Sequence, residues 1–573
     1  MRFAAVAIDY DGTLAENGMV RPSTVQALER LIASGRKFIL VTGRVLREVL
    51  AIFPQADLCA RIVAENGAVL YRPAAREQRL LAEPASKPLI EALRRRGVTP
   101  LDIGDSIVAT VRPHEVTVLE VIRDLGLEHH VVFNRESVMV LPPGITKASG
   151  LKSALNELQL SPHNVVGIGD SENDHALLQA SELAVAVGSA VSTLCESADW
   201  VTKHPNGQGT AELLSALIAN DLIDQSARLT RHHISLGTAP DGADISMSPI
   251  GENLLIAGTS GSGKSTLAHG ILERLIDRGY QLCVIDPEGD YEAVEKAVVF
   301  GNAQRGPTVS EILTALDNPE THVVVNLVGL PLNDRPLFFF ELLPHLQERR
   351  SLSGRPHRIL IDETHHLMPQ QWQPASGVLL DVMGMLCVTV HPDQVSPLIL
   401  QAMDTVVALG DEPFRILESV AERKGVKHAW GRAVELKTGE GVIWRPKTGV
   451  PPTTFLMAFS RIERRRHRRK YAEGELPPER SFYFRGPDEK LNLRAQNLIV
   501  FRQLAEGVDD ATWLYHLRQG DYSRWLETAI KDPSLARIVQ KVEQEYPPLS
   551  AGESRQRVAN AIEERYTLPA TGV

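Results

Sequence analysis

The sequence is short of cysteine, of long apolar runs and of net positive charge, and each shortage removes a class of protein. Only four cysteines occur in 573 residues, at Cys59, Cys195, Cys283 and Cys387. They are scattered and lack CxxC spacing, which argues against a disulfide framework or a zinc site and for a reducing, cytoplasmic setting. No run of about 18 apolar residues appears, so no membrane span is expected. The apolar stretch at 3–8 is too short for a signal peptide and runs straight into an acidic motif. Lys and Arg number 61 against 71 Asp and Glu, a formal net charge of −10. That balance argues against a protein coating nucleic acid with its whole surface, while leaving room for a local basic patch.

What is present is ordinary for a soluble globular chain: 43% apolar and 23% charged residues. The length predicts three or four domains. From residue 1 to about 225, short apolar runs alternate with helical patterns, the rhythm of a parallel sheet with crossover helices. Strands are expected at 3–8, 38–41, 61–63 and 165–168. The stretch 83–144 interrupts this rhythm and reads as helix, two strands, helix, two strands, a small inserted α+β module. Residues 204–242 read as one helix followed by a polar join. A second α/β rhythm then runs to about 455. Beyond it the pattern is mainly helical, after a basic run at 461–470, and there are no internal repeats. The expected division is therefore 1–82 with 145–225, an insertion at 83–144, a second α/β domain at 226–455, and a basic segment with a helical module at 456–573.

Four motifs in the first domain carry chemistry. Asp9-Tyr10-Asp11-Gly12-Thr13 follows an apolar strand, and a period of two turns Asp9 and Asp11 the same way. Asp9 could attack phosphorus and form an aspartyl phosphate, while Asp11 could protonate the departing oxygen and later activate water. Gly12 permits a tight turn whose amides face a phosphate. Thr42, in Leu40-Val41-Thr42-Gly43-Arg44, offers a hydroxyl to a phosphate oxygen. Lys147 stands before a helix and would offset phosphoryl charge. In Gly169-Asp170-Ser171-Glu172-Asn173-Asp174, Asp170 could complete a magnesium site with Asp9. Asp174 would hold Lys147 or a metal-bound water, so the metal set is Asp9, Asp11, Asp170 and Asp174.

This set, in this order, resembles the haloacid dehalogenase (HAD) superfamily. The insertion resembles the type-two cap of its sugar-phosphate phosphatase branch, with the shorter cap of phosphoglycolate-phosphatase-like members, and Glu65-Asn66-Gly67 is similar to that branch. The resemblance implies magnesium and a small phosphorylated substrate enclosed by the cap. Arg44, Arg47, Glu65 and Asn66 stand equally as substrate contacts or as capping and surface groups. Arg112, His114 and Arg135 are the cap candidates for specificity.

The second domain opens on Gly258-Thr259-Ser260-Gly261-Ser262-Gly263-Lys264-Ser265-Thr266, after a strand at 253–257 and before a helix from residue 267. This matches GxxxxGK[ST] in its strand–loop–helix context. Gly258, Gly261 and Gly263 let successive amides face the β-phosphate of ATP, and the helix N-terminus adds positive potential. Lys264 would reach the β- and γ-phosphates. Ser265, with Thr266 beside it, would bind magnesium. A partner strand, Arg358-Ile359-Leu360-Ile361-Asp362-Glu363, offers Asp362 to the metal through water and Glu363 as the base for attacking water. Such a glutamate favours hydrolysis over phosphorylation of an acceptor. With Val284-Ile285-Asp286-Pro287-Glu288 and Val388-Thr389-Val390-His391-Pro392, the segment resembles the HerA/FtsK class of P-loop ATPases, many of them ring-forming homo-oligomeric motors. His391 falls where that class usually carries a glutamine or other polar γ-phosphate sensor, a departure from the pattern. Arg305, Arg335 and Arg415 are candidates for an arginine reaching a neighbouring subunit. The adjacent His365 and His366 cannot share one helix face as metal ligands and read as packing groups or as groups supporting a neighbouring site residue.

The basic run at 461–470 reads as a solvated or linking segment, with phosphate binding as its alternative. Trp513, Tyr515 and Trp525 read as helical core rather than base-stacking groups. The fold class is thus α/β: a HAD Rossmann-like sheet with an inserted α+β cap, then a P-loop NTPase domain and a helical C-terminal region. The leading functional reading is a bifunctional HAD phosphatase and ATPase. A DNA-directed motor with end or nucleotide phosphatase activity, and a polynucleotide kinase–phosphatase analogue, are the alternatives, so a nucleic-acid partner stays open.

Overall fold

The computed structural model describes residues 1–226, 228–372, 383–426, 430, 436–458, 460, 476, 478–487, 489–530 and 532–566. The chain divides into two compact units, Met1–Ala458 and Phe459–Val573. The basic run at 461–470 lies outside the described residues.

Unit one holds two large sheets. The first has eight strands in the order Trp200–Val201, Leu183–Ala186, Val165–Gly169, Ala5–Asp9, Lys37–Val41, Arg61–Ala64, Val69–Arg72 and Glu77–Leu80. The first six run parallel and the last two antiparallel. Ala5–Asp9 and Val165–Gly169 are buried throughout, as central parallel strands must be when helices cover both faces. The insertion forms the expected pattern: Lys87–Arg95, Asp102–Ile103, Val108–Val111, Glu115–Asp124, His130–Asn134 and Ser137–Leu141. Its four antiparallel strands carry both helices on one face, around Leu89, Leu93, Val118, Val138 and Val140.

The second sheet has eleven strands. Seven are parallel, in the order Thr405–Leu409, Leu254–Gly258, Met385–Thr389, Arg358–Ile361, Leu282–Asp286, His322–Asn326 and Ala297–Phe300. Four strands, Glu440–Trp444, Thr453–Met457, Ile234–Thr238 and Asp244–Met247, extend one edge in antiparallel fashion. Ile234–Thr238 lies inside the stretch read from sequence as a polar join. It forms a local hairpin with Asp244–Met247, and Thr453–Met457, more than 200 residues away, joins that hairpin to the large sheet. The helix expected from residue 267 begins at Lys264, because Gly263 takes φ +95° and serves as its N-cap.

Unit two is helical, with Leu498–Gly507, Asp510–Gln519, Asp521–Thr528, Pro533–Glu543 and Ala551–Tyr566. A hairpin of Phe482–Phe484 and Leu493–Ala495 precedes them, in a region whose sequence pattern is mainly helical. Trp513 and Trp525 are buried in the core of this unit.

The two sheets of unit one are joined by a buried polar seam. His163 sits between the two, its Nδ1 2.9 Å from Glu182 Oε2 and its Nε2 2.6 Å from the Arg278 carbonyl oxygen. The Tyr280 hydroxyl donates to Glu182 (3.0 Å), and Arg2 pairs with its other oxygen (3.1 Å). The Gln281 N–H donates to His357 Nδ1 (2.8 Å), so His357 carries its proton on Nε2 and donates to Asn164 Oδ1 (3.1 Å). Arg355 donates to the Gln159 carbonyl (2.9 Å). These residues precede the strands Ala5–Asp9, Val165–Gly169, Leu183–Ala186, Leu282–Asp286 and Arg358–Ile361. The sheets therefore meet at the N-terminal edges of their parallel strands.

Burial alone would raise the Glu182 carboxyl, but His163, His232 and Arg2 outweigh it and hold its pKa down to about 2. A folded pKa below the ordinary 4.5 stabilises the native state above pH 4.5, and that contribution is lost as pH falls towards 2. Glu182→Gln is expected to cost about 3 kcal/mol at pH 7. Thermal unfolding should show this deficit narrowing between pH 4.5 and 2, and an equal deficit at every pH would contradict the seam's electrostatic role.

Candidate active sites

The first site lies at the opposite, C-terminal edge of the first sheet, where open α/β sheets bind ligands. Asp9 ends its strand with a buried carboxylate, and Asp170 follows Val165–Gly169 directly. Lys147 opens the helix Lys147–Leu158, whose start is fixed by a capping box between Thr146 and Ser149. That helix presses against the Glu65–Gly67 turn. Gly67, at φ +107°, has the Thr146 carbonyl where a Cβ would stand, so the close approach requires glycine. Lys147 Nζ donates to Asp9 Oδ1 and to Asp174 Oδ1, each at 2.6 Å. Asp174 also accepts from the Asp170 and Ser171 N–H groups, at 3.0 and 3.1 Å.

One carboxylate oxygen from each of Asp9, Asp170 and Asp174 lies within 4.8 Å of the others. Three buried carboxylates set against the Lys147 ammonium and the Arg135 guanidinium leave an excess of one negative charge. Burial raises the Asp9 pKa, Asp174 raises it further, and Lys147 opposes both. Asp170 is raised by burial and by Asp174, against Arg135. Burial would lower Lys147, but Asp174 and Asp9 outweigh that and raise it above its ordinary value. Hard oxygen donors with surplus negative charge suit a magnesium ion.

Asp11, counted among the metal ligands on the sequence, stands outside this cluster. It lies beyond the strand end and accepts a bidentate pair from Arg44, at 2.6 and 2.8 Å. Between the two aspartates' loop and Asp170, Gly12 takes φ +77°, and the Asp170 carboxylate fills the space a Cβ would need. Thr42 follows its strand and is fully buried, its hydroxyl accepting from the Arg44 N–H at 3.1 Å. Thr13 also reaches Asp170, at 3.3 Å, a contact with no signal in the local sequence.

The insertion closes over this edge. Glu65, at φ +54°, accepts from the N–H groups of Asp105, Ser106 and Ile107 at 2.9, 2.9 and 3.3 Å. Asn66 donates to Met139 Sδ and accepts from Asn173. Arg47 donates to the Ile103 carbonyl. Glu65, Asn66 and Arg47 therefore tie the core to the cap. Between core and cap lies a cleft of about 590 Å³ lined by Asp9, Asp11, Arg44, Ser137 and Arg135. Of the cap candidates, Arg135 enters this cleft and pairs with Asp170. Arg112 covers the Phe133 ring and His114 bonds to the Thr99 carbonyl, both away from the cleft lining.

The second site forms at the C-terminal edge of the second sheet. Gly258 ends the strand Leu254–Gly258, Gly261 takes φ +78°, and Lys264, Ser265 and Thr266 form the first helical turn. Lys264 Nζ donates to the Thr259 carbonyl at 2.8 Å. Burial lowers the Lys264 pKa, while Glu363 and then Asp362 raise it, which places these three groups in one field. Burial, with Glu363 beside it, pushes Asp362 up to about 8. Glu363 is raised by burial and by Glu288, against Lys264, His366 and His391. Glu363 also holds φ +40°, an uncommon conformation of the kind that concentrates at functional sites. Asp286 instead folds its own loop, accepting from Gly289, Asp290 and Tyr291 at 2.8, 3.0 and 2.8 Å.

The three arginine candidates are engaged within the chain. Arg305 pairs with Glu311 and Arg415 with Glu412, both exposed pairs of little strength. Arg335 donates to the Leu330 and Pro287 carbonyls, at 3.1 and 3.0 Å.

Residues 6–100 and 107–214 match the haloacid dehalogenase-like hydrolase family, and residues 241–368 match the central domain of helicase HerA. A phosphoglycolate phosphatase of Methanothermobacter thermautotrophicus is 32% identical over 216 residues, spanning 36% of this chain and 96% of that protein. Phosphoglycolate phosphatase 2 of Saccharolobus solfataricus is 30% identical over 222 residues, spanning 38% and 93%. A phosphoglycolate phosphatase of Haloarcula marismortui is 30% identical over 220 residues, spanning 36% and 94%. Among the described residues no helix is long and apolar enough to cross a membrane.

Asp170→Asn is expected to weaken divalent-ion binding by about tenfold or more, since it removes one of three clustered carboxylates. Calorimetric titration with Mn²⁺ would read this, and unchanged affinity would show that the ion binds elsewhere. Glu65→Ala removes the acceptor of three cap N–H groups, and is expected to raise KM for a phosphate ester more than it lowers kcat.

Proposed function

Because this chain belongs to the haloacid dehalogenase-like hydrolases and carries a HerA-type ATPase domain behind the phosphatase, we propose that its first half hydrolyses a small phosphate monoester through an aspartyl phosphate. The observation that carries the reading is the convergence of Asp9, Lys147, Asp170 and Asp174 at a sheet edge closed by a cap. Asp9 Oδ attacks phosphorus, and the bond to the ester oxygen breaks. Asp11 gives that oxygen its proton and, now a carboxylate, takes a proton from the water that cleaves the aspartyl phosphate. Arg44 orients Asp11 as a carboxylate by two hydrogen bonds, the form that takes the proton from water; one of those bonds opens when Asp11 carries the proton it gives to the ester oxygen. Lys147 holds Asp9 and offsets charge on the phosphoryl oxygens, to which Thr42 offers its hydroxyl. A magnesium ion held by Asp9, Asp170 and Asp174 would supply further positive charge at those oxygens.

The cleft is of a size for a small organophosphate. The curated relatives point to phosphoglycolate or a similar short ester, with sugar phosphates as the other class. In the second half, Lys264, Ser265 and Asp362 would bind ATP and magnesium, and Glu363 would take the proton of attacking water. Glu363 weighs against the polynucleotide kinase–phosphatase reading, because a base for attacking water is not needed when the acceptor is a nucleic-acid hydroxyl.

A panel of phosphate esters with magnesium tests the proposal. Wild type should release phosphate from phosphoglycolate or a sugar phosphate, and Asp9→Asn should lose about 10⁴-fold in kcat. Equal release by both proteins would overturn it. ATP hydrolysis stimulated by added DNA would shift the reading of the second half to a DNA-directed motor.

A further inference from the structure

Two loops meet beside Glu363. One follows the strand Arg358–Ile361 and carries Glu363 and the short helix Thr364–Leu367. The other follows Met385–Thr389 and carries His391. They are tied together by a bridge between Pro369 and Val395, and by the Ser396 N–H donating to the Met368 carbonyl at 3.0 Å. His365 is buried between them. Its Nδ1 lies 3.1 Å from Thr389 Oγ1 and 3.3 Å from Glu363 Oε2. The Thr389 hydroxyl oxygen also accepts the His391 N–H at 3.1 Å. Glu363 Oε2 is buried, and no hydrogen bond of good geometry reaches it.

With the proton on Nδ1, His365 thus has two acceptors in reach and one proton to give. Burial, with His366 and His391 nearby, pushes the ring's pKa down to about 4, so one nitrogen is protonated and the other bare. Glu363 can only accept, and an unmet buried carboxylate oxygen is costly. Turning the N–H from Thr389 to Glu363 needs only a small rotation of one ring.

We propose that His365 is a positioning residue for ATP hydrolysis: it orients the Glu363 carboxylate through Nδ1–H and links it, by way of Thr389, to the His391 loop. The inference rests on Glu363 being the base. No proton leaves His365. The proton from water goes to Glu363, and the imidazole only fixes which carboxylate oxygen faces that water. The link gives the unusual His391 a physical route to the base: a shift of the His391 N–H changes the hydrogen bonding of Thr389, and with it the choice His365 makes.

The test uses the full chain, with kcat for ATP hydrolysis measured beside the Kd of a fluorescent mant-ATP. His365→Leu keeps the bulk and removes the donor. It is expected to lower kcat about tenfold, the worth of one hydrogen bond, with Kd unchanged. His365→Asn places an amide N–H near the Nδ1 position and should restore kcat to within about threefold of wild type. Thr389→Val combined with His365→Leu should cost no more than His365→Leu alone, because both act through one link. Hydrolysis of a phosphate ester by the same variants reports that the chain is folded. The proposal falls if His365→Leu leaves kcat intact, if Kd weakens in step with kcat, if asparagine fails to rescue, or if the two substitutions multiply. Glu363→Gln separates the premise from the inference. Full hydrolysis by that variant removes Glu363 as the base, whereas its loss alongside an active His365→Leu removes only the positioning role.

Discussion

Lys147 sets one ammonium between Asp9 and Asp174, 2.6 Å from each, in a place where none of the three groups is exposed to water. Burying a lone charge there would cost several kcal/mol. The cluster is sustained because each member answers another: Lys147 holds two carboxylates, and backbone N–H groups of Asp170 and Ser171 hold the far oxygen of Asp174. Nearly everything around it serves this placement. The capping box starts the helix at Lys147, and Gly67 lets that helix lie flush against the turn that also grips the cap. Cap, nucleophile and lysine are therefore parts of one packed arrangement rather than three neighbouring features.

The second domain solves a related problem with different parts. Its acidic pair ends a buried parallel strand, and Lys264 stands opposite it at the start of a helix. Asp362 is raised to about 8, far from the ordinary carboxylate range, which is the condition of a group awaiting a counter-charge. Glu363 pays for its position in backbone conformation, and its carboxylate is surrounded by histidines rather than by the single polar sensor usual in this class.

The seam decides how these two chemistries relate. It is built from the starts of parallel strands, while both sites are built from their ends. A five-residue strand spans roughly 17 Å, so each site stands about a strand's length from the seam, at the far edge of its own sheet. Substrate cannot pass directly from one cleft to the other. Strands such as Val165–Gly169 and Arg358–Ile361 begin at the seam and end at Asp170 and Asp362.

The sequence by itself determined the local chemistry. The strand-end DxD, the glycine-rich loop before Lys264 and the Asp362-Glu363 pair were legible because each is a short motif whose geometry is set by its neighbours: strand, turn, helix. The alternation of the inserted module was legible for the same reason. Tertiary structure alone decided which distant groups meet. It separated Asp11 from the three clustered carboxylates, gave Arg135 rather than Arg112 or His114 to the cleft, and turned Glu65 into a clamp on the cap. It also joined the hairpin of Ile234–Thr238 to the large sheet and placed His365 between Glu363 and Thr389. Each of these rests on partners from 24 to more than 200 residues away, brought together by sheet order and by the packing of one loop on another, which no periodicity along the chain records.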